Sequence, residues 1–282
     1  MTIAVAGGKG GTGKTLFAMS LARSLEGRVC VFDADAEGPN AHLFCGVDKT
    51  ETKPYSVQVP VFDISKCDSC GKCVELCRFK ALAFPAGRPL LFQGLCHSCG
   101  GCAAVCKTGA VTETGREIGE ISIYEKDDFR LVSGALNVGE PMSPPLIHGT
   151  LEEGYGQDGI SIIDCPPGAS CGLAASIKTA DYCLLIVENT PFGLHDVKIV
   201  MEVLLALNIP FGAIINKWRS EYSVMEKLLN RDGVEVLMRV PFSEDIAKAY
   251  SEGRTLLDLG PAYENKFKEI AREISERLDK LV

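Results

Sequence analysis

The residues that most constrain this chain are Gly8-Lys9-Gly10-Gly11-Thr12-Gly13-Lys14-Thr15, which follow directly on the short apolar run Ile3 to Ala6. They satisfy G-x-x-x-x-G-K-[ST]. In that motif glycines let backbone N–H groups wrap phosphates at a helix N-terminus, Lys14 holds the β- and γ-phosphates, and Thr15 ligates magnesium. Gly8, Gly10 and Gly13 also satisfy G-x-G-x-x-G, and Asp33 and Asp35 fall where a dinucleotide site wants an acid. The Lys14-Thr15 pair is superfluous for a dinucleotide, however. Asp164, closing the apolar strand Ile160 to Ile163, is also placed to hold magnesium through water. A triphosphate site is therefore expected.

Short β-branched runs alternate with amphipathic stretches: Ile3 to Ala6, Val29 to Phe32, Ile160 to Ile163, Cys183 to Val187, Ala213 to Ile215 and Val234 to Val240. This is the pattern of an α/β fold with a doubly wound, mostly parallel sheet. Between 61 and 124 the alternation stops and cysteine and glycine rise, so residues 1–60 and 125–282 are expected to form one domain and 61–124 an insert. The stretch from Glu125 to Gln157 reads as one strand near Leu131 followed by an irregular, proline-rich connection. From Tyr263 onward, Phe267, Ile270, Ile274 and Leu278 share a helical face that is expected to pack on the sheet; the mixed charge of its polar face argues against a membrane-targeting helix. A formal charge of -8 argues against nucleic acid as a principal partner. The glycine loop lies so near the start that no secretory leader is expected, so the thirteen cysteines read as metal ligands in a reducing cytosol rather than as disulfides.

Eight of those cysteines form two copies of Cys-x-x-Cys-x-x-Cys-x-x-x-Cys: Cys67, Cys70, Cys73, Cys77, then Cys96, Cys99, Cys102, Cys106, 29 positions later. Gly71 matches Gly100 and Ala81 matches Ala110, so this is an internal repeat. A zinc site would pair Cys-x-x-Cys units at longer separation. The spacing is similar to that of bacterial two-cluster ferredoxins, which implies an α+β ferredoxin insert with two 4Fe-4S clusters. In those proteins the fourth ligand comes from the other motif. The resemblance thus implies one cluster on Cys67, Cys70, Cys73 and Cys106, and a second on Cys77, Cys96, Cys99 and Cys102. The proline that usually follows the fourth cysteine is here Arg78 or Lys107. Each puts a cation beside a cluster, to raise its potential or to dock an acidic redox partner.

Lys9, the second lysine of the glycine loop, resembles the deviant Walker A lysine of the MinD superfamily of P-loop ATPases. The likeness continues in Val31-Phe32-Asp33-Ala34-Asp35 with Asn40 (switch I), Asp164-Cys165-Pro166-Pro167-Gly168 (switch II) and Asn216-Lys217 (adenine reading). With Thr190-Pro191-Phe192-Gly193-Leu194-His195-Asp196, these pieces resemble MinD-like ATPases that carry an inserted ferredoxin domain. The resemblance implies that Gly8 to Thr15, Asn216 and Pro241 bind ATP or ADP, and that Thr15, Asp35 and Asp164 surround Mg2+. Lys9, Lys14, Asp35 and Asn40 would serve hydrolysis: Asp35 and Asn40 would place the attacking water, and Lys9 would act across a dimer on the partner's nucleotide.

A cytosolic, Mg-dependent ATPase is the resulting expectation, dimeric with itself or with a paralogue under control of ATP. One function implied is ATP-gated electron transfer or docking to a protein redox partner. Others are assembly or carriage of metal clusters, and MinD-like spatial organisation with the clusters sensing redox state. Cys171-Gly172 is similar to the cluster-ligating step of nitrogenase reductase, but no second cysteine precedes switch II to complete it. Cys171 is expected as a buried or interface thiol with a redox role as the alternative. Cys30, Cys45 and Cys183 read as core, and neither His97 nor His195 has partners spaced for catalysis.

Overall fold

The computed structural model describes residues 1–154, 159–219 and 224–280, with the backbone alone at Pro191 and Phe192. In chain order the elements are β1 (Thr2–Gly7), α1 (Lys14–Ser24), β2 (Val29–Asp33), α2 (His42–Cys45), β3 (Lys49–Phe62), α3 (Lys72–Leu76), β4 (Leu82–Ala83) and β5 (Leu90–Leu91). Next come α4 (Gly101–Val105), β6 (Val111–Lys126), β7 (Phe129–Leu136), α5 (Pro144–Glu152), β8 (Ile160–Asp164), α6 (Cys171–Ile177) and β9 (Tyr182–Glu188). The chain closes with α7 (Pro191–Ala206), β10 (Phe211–Trp218), α8 (Val224–Arg231), β11 (Val236–Pro241), α9 (Glu244–Ser251) and α10 (Pro261–Asp279). Two compact units result. The first comprises Met1–Lys53, Ile121–Ala135 and Ser143–Val282; the second comprises Pro54–Glu120 and Leu136–Met142.

The first unit is built on a sheet whose strands run in the order β11-β10-β9-β1-β8-β2-β7-β6-β3. Every pair from β11 to β7 is parallel. Apolar residues occupy both faces of the central strands because helices cover both sides, and Ile3, Val5, Leu184, Ile186 and Ile214 are fully buried. Parallel order matters for function, since it brings the C-terminal ends of β1, β2, β8 and β9 to one edge. That edge is where ligands bind in such sheets. Helix α10 lies on α1, with Phe267 edge-on to Phe17 at 6.2 Å between ring centroids. Phe267, Ile270 and Ile274 are fully buried there, so the apolar face of this helix is already used by the core. No described helix is long and apolar enough to cross a membrane.

Two elements differ from the sequence reading. Residues 144–152 were expected to be irregular but form α5, because Pro144 and Pro145 stand in its first turn, where the missing N–H costs nothing. Strands β3 and β6 are 14 and 16 residues long and extend into the region expected to belong wholly to the insert. Tyr155 to Asp158, part of the same connection, lie outside the described residues.

The second unit repeats itself in backbone as well as in sequence. Gly71 and Gly100 take left-handed φ of 69° and 71° at the starts of α3 and α4, as do Ser69 and Ser98 at 58° and 51°. Hydrogen bonds recur in register: Cys77 N–H to Val74 and Cys106 N–H to Ala103; Phe92 N–H to Ala81 and Asp63 N–H to Ala110.

If α10 belongs to the core as described, Phe267→Ala should cost about 3–5 kcal/mol in denaturant unfolding. A variant as stable as the parent would detach that helix from the core.

Candidate functional site

The loop after β1 is shaped by crowding. A Cβ at Gly8 would collide with Asp196 of α7, and Gly13, at φ +99°, holds a left-handed conformation that other residues rarely adopt. Lys14 is buried, with its ammonium donating to the Lys9 carbonyl at 3.4 Å. The Asn216 amide donates to the Thr12 carbonyl at 2.8 Å, tying the end of β10 to the loop. Glu188, at the end of β9, bridges two cations: Lys9 at 2.8 Å and Lys217 at 2.9 Å. Burial works against its charge, but hydrogen bonds from both lysines and their charges hold the Glu188 carboxyl below its usual range.

Across the loop, Asp33 and Asp164 stand as register partners at the ends of β2 and β8. One Asp33 oxygen accepts the N–H groups of Asn40 and Ala41, each at 2.8 Å, and the other that of Asp35 at 3.3 Å. Asp33 therefore shapes the segment that positions Asp35 and Asn40, and desolvation still lifts its carboxyl to about 7. Asp164 is pushed well above the carboxylate range by burial first and by the Asp33 charge second, against the pull of Thr15 and Lys14. Neither Asp164 oxygen meets a donor in full hydrogen-bond geometry. Asp35, half-buried, is raised by desolvation and by Glu37, and lowered by Lys14. A buried acid whose two oxygens lack donors, as at Asp164, suits a divalent cation. Thr15 and Asp164 fit such an ion, with Asp35 beside them.

A cavity of 250 Å3 adjoins the loop, lined by Gly13, Asn216, Lys217, Pro241, Phe242 and Tyr250 among others. Asn216 and Pro241 were expected there; the aromatic walls were not. The signal for Phe242 was its place directly after Pro241. The Arg219 guanidinium lies 5.2 Å from its ring centre.

In the second unit the eight motif cysteines line two separate cavities. One, of 260 Å3, carries Cys77, Cys96, Cys99 and Cys102; the other, of 20 Å3, carries Cys67, Cys70, Cys73 and Cys106. Each cavity thus takes three thiols from one copy and the last from the other. Burial raises Cys73 and Cys102, each also facing two thiols of its own set. The Thr108 hydroxyl, 3.5 Å from the Cys106 sulfur, lowers that thiol. Among the described residues no three His, Cys, Asp or Glu side chains close on a single ion position. The 260 Å3 space between one set of four thiols is wide enough for a polynuclear group, whereas the 20 Å3 space between the other set is little larger than a water.

The other cysteines separate by exposure. Of the two settings expected for Cys171, burial within the chain is not met: the residue opens α6 after its N-cap Ser170 and is exposed. Cys45 is only half-buried, since α2 ends beside it at Gly46. Cys30, Cys165 and Cys183 are buried, and desolvation pushes Cys183 to about 12.

Comparisons with known proteins bear on the fold and on the nucleotide-binding domain. Two uncharacterized proteins of Methanocaldococcus jannaschii, MJ0578 and MJ0579, are 32% and 28% identical, over 98% and 97% of this chain and 97% of each relative. Among solved structures, the septum site-determining protein MinD of Pyrococcus horikoshii, complexed with Mg-ADP, superposes with a TM-score of 0.58 at 17% identity, covering 96% of each chain. The cell division ATPase MinD of Pyrococcus furiosus gives 0.58 at 18%, over 96% and 98%. At such identities the likeness is one of fold. The model of the CobQ/CobB/MinD/ParA nucleotide binding domain matches residues 3–256, and the chain belongs to that family.

Proposed function

We propose that this chain is a Mg-dependent ATPase whose nucleotide cycle, run at a dimer interface, gates electron transfer or partner docking by an iron-sulfur unit with two 4Fe-4S sites. The observation that carries the iron-sulfur part is the crossed division of eight thiols between two cavities. Clusters held there would supply one-electron storage. On the nucleotide side, the loop N–H groups and Lys14 hold phosphates, Thr15 and Asp164 hold Mg2+, and Asp35 orients water toward the γ-phosphate. Lys9, now paired with Glu188, would serve the partner's nucleotide once two copies close. The second unit's first segment lies in the chain between Asp33 and Asp164: the chain enters it from the Asp33 segment through α2 and β3, and leaves it through β6 and β7 before reaching β8.

A second reading, MinD-like spatial organisation, is favoured by the fold likeness to the two MinD structures. It uses the same ATPase site with the cysteine sites as sensors. ATP-dependent binding to anionic vesicles would select it over gating. Two sites saturated by four thiols each weigh against a carrier of labile clusters.

Anaerobic reconstitution with iron and sulfide should load about eight of each per chain, and Cys73→Ser or Cys102→Ser should remove about half. Stoichiometric zinc, or loss of all iron in either variant, would sink the two-site reading.

Lys14→Ala should abolish ATP binding in calorimetry while iron content stays at the parent level. In the parent, ATP should shift a cluster midpoint potential, and in the variant it should not. A potential indifferent to ATP in the parent would remove the gating.

Asp33 and Asp164 have folded-state values above their unfolded ones. Their stabilising contribution is therefore full below about pH 4 and is lost as pH rises through about 7, the value of Asp33. Without nucleotide or Mg2+, the melting temperature should fall between pH 5 and 7.5, and Asp33→Asn should flatten that slope. An unchanged slope would refute the buried pair.

A further inference from the structure

The two copies of the cysteine repeat are alike in backbone but not at their rims. After the fourth cysteine the first copy reads Arg78-Phe79-Lys80 and the second Lys107-Thr108-Gly109. Lys80 and Gly109 occupy the same left-handed turn, at φ +54° and +66°. A glycine suits that conformation; a lysine is uncommon there. Backbone strain of this kind marks a side chain kept for another reason. Arg78 and Phe79 line the 260 Å3 cavity of Cys77, Cys96, Cys99 and Cys102, together with Leu76. Phe79 also stacks on His97 at 3.6 Å between ring centres. Leu76, Phe79 and Phe92 are 42–49% exposed, and Arg78 and Lys80 are exposed beside them.

Charge is distributed in the same sense. Between 64 and 110 the sequence holds six lysines and arginines, Arg78 and Lys80 among them, and two acids, Asp68 and Glu75; of the acids just outside, Asp63 pairs with Lys66 and Glu113 lines the same cavity. An apolar patch flanked by Arg78 and Lys80, at the mouth of the cavity that Glu113 also lines, fits a negatively charged protein with an apolar contact point.

We propose that the rim formed by Leu76, Arg78, Phe79 and Lys80 is the docking surface for an acidic protein electron carrier, and that the carrier addresses the Cys77/Cys96/Cys99/Cys102 site only. This rests on the iron-sulfur reading above. The exchange is one electron: the carrier is oxidised by one as iron at that site is reduced by one, and no proton is required.

The internal repeat supplies the test. Phe79→Thr/Lys80→Gly gives the first copy the rim of the second, in residues that the same turn already accepts. The probe is an acidic plant-type 2Fe-2S ferredoxin, presented to the full-length, reconstituted protein at low salt, with iron content checked in each variant. The double swap should lower both the affinity and the electron-transfer rate about tenfold or more and should weaken their dependence on salt. Lys107→Thr, on the other rim, should change either by less than about twofold. Affinity requires no iron, so a chain that failed to load clusters would refute the earlier reading while leaving this surface measurable. If the swap lowers iron content, Lys80→Gln is measured in its place. Unchanged binding in the swap, an equal effect of Lys107→Thr, or capture of phosphatidylglycerol vesicles that the swap abolishes would each overturn the proposal. The last outcome would assign the face to a membrane.

Discussion

Two carboxylates buried side by side cannot both remain ionised without a cation between them, and the nucleotide unit is arranged around that constraint. Asp33 and Asp164 are brought together by the β2–β8 register, not by loop contacts. The apolar strands that fix this register also desolvate them. Lys14 supplies one positive charge against three acids, counting Asp35. With all three acids ionised, the shortfall is what a divalent ion supplies, and the loop N–H groups would then meet the charge that phosphates bring. Strand order, loop glycines and the unused oxygens of Asp164 thus answer one electrostatic problem.

Glu188 solves the matching problem on the other side of the loop. Two lysines beside a phosphate site would repel each other when the site is empty. The carboxylate at the end of β9 pairs with both and offsets half of their charge, with Lys217 also donating to the Gly11 carbonyl at 3.2 Å. Because that carboxylate is nearly buried, the two ion pairs count for more than surface pairs would. Lys9 is therefore not a free surface lysine: reaching a second nucleotide would exchange one carboxylate for another anion rather than create a charge contact from nothing.

What was legible in the sequence follows from how local each constraint is. The phosphate loop could be read because its backbone conformation demands glycine at fixed positions, and the central strands because burial on both faces leaves only apolar residues. Helix α5 was obscured by Pro144 and Pro145, which break a helix interior but suit its first turn. The outer ends of β3 are exposed and polar, from Lys49 to Lys53, so no burial pattern marks them. The sequence favours Asp35 over Asp33 because a strand-end acid can serve to cap a turn. Asp33 spends its oxygens on the N–H groups of Asp35, Asn40 and Ala41, and so builds the turn that presents its neighbours. Glu188 and Tyr250 were missed because their partners lie far away in the chain, and nothing at their own positions signals the meeting; Phe242 was signalled only by its place directly after Pro241.

The path from phosphate to the second unit is constrained by hydrogen bonding. Asp33 ends β2, and β2 pairs residue for residue with β7, from Val29 with Phe129 to Asp33 with Ser133. Strand β7 is joined to β6 by the two-residue turn Asp127–Asp128, with Asp127 at φ +53°. The chain returns from the second unit through β6. A displacement at the end of β2 therefore reaches β6 through a paired ladder and a tight turn, not through a flexible linker. Glycine- or serine-rich linkers would dissipate such a displacement; paired strands transmit it, because slipping one residue would turn every side chain to the wrong face.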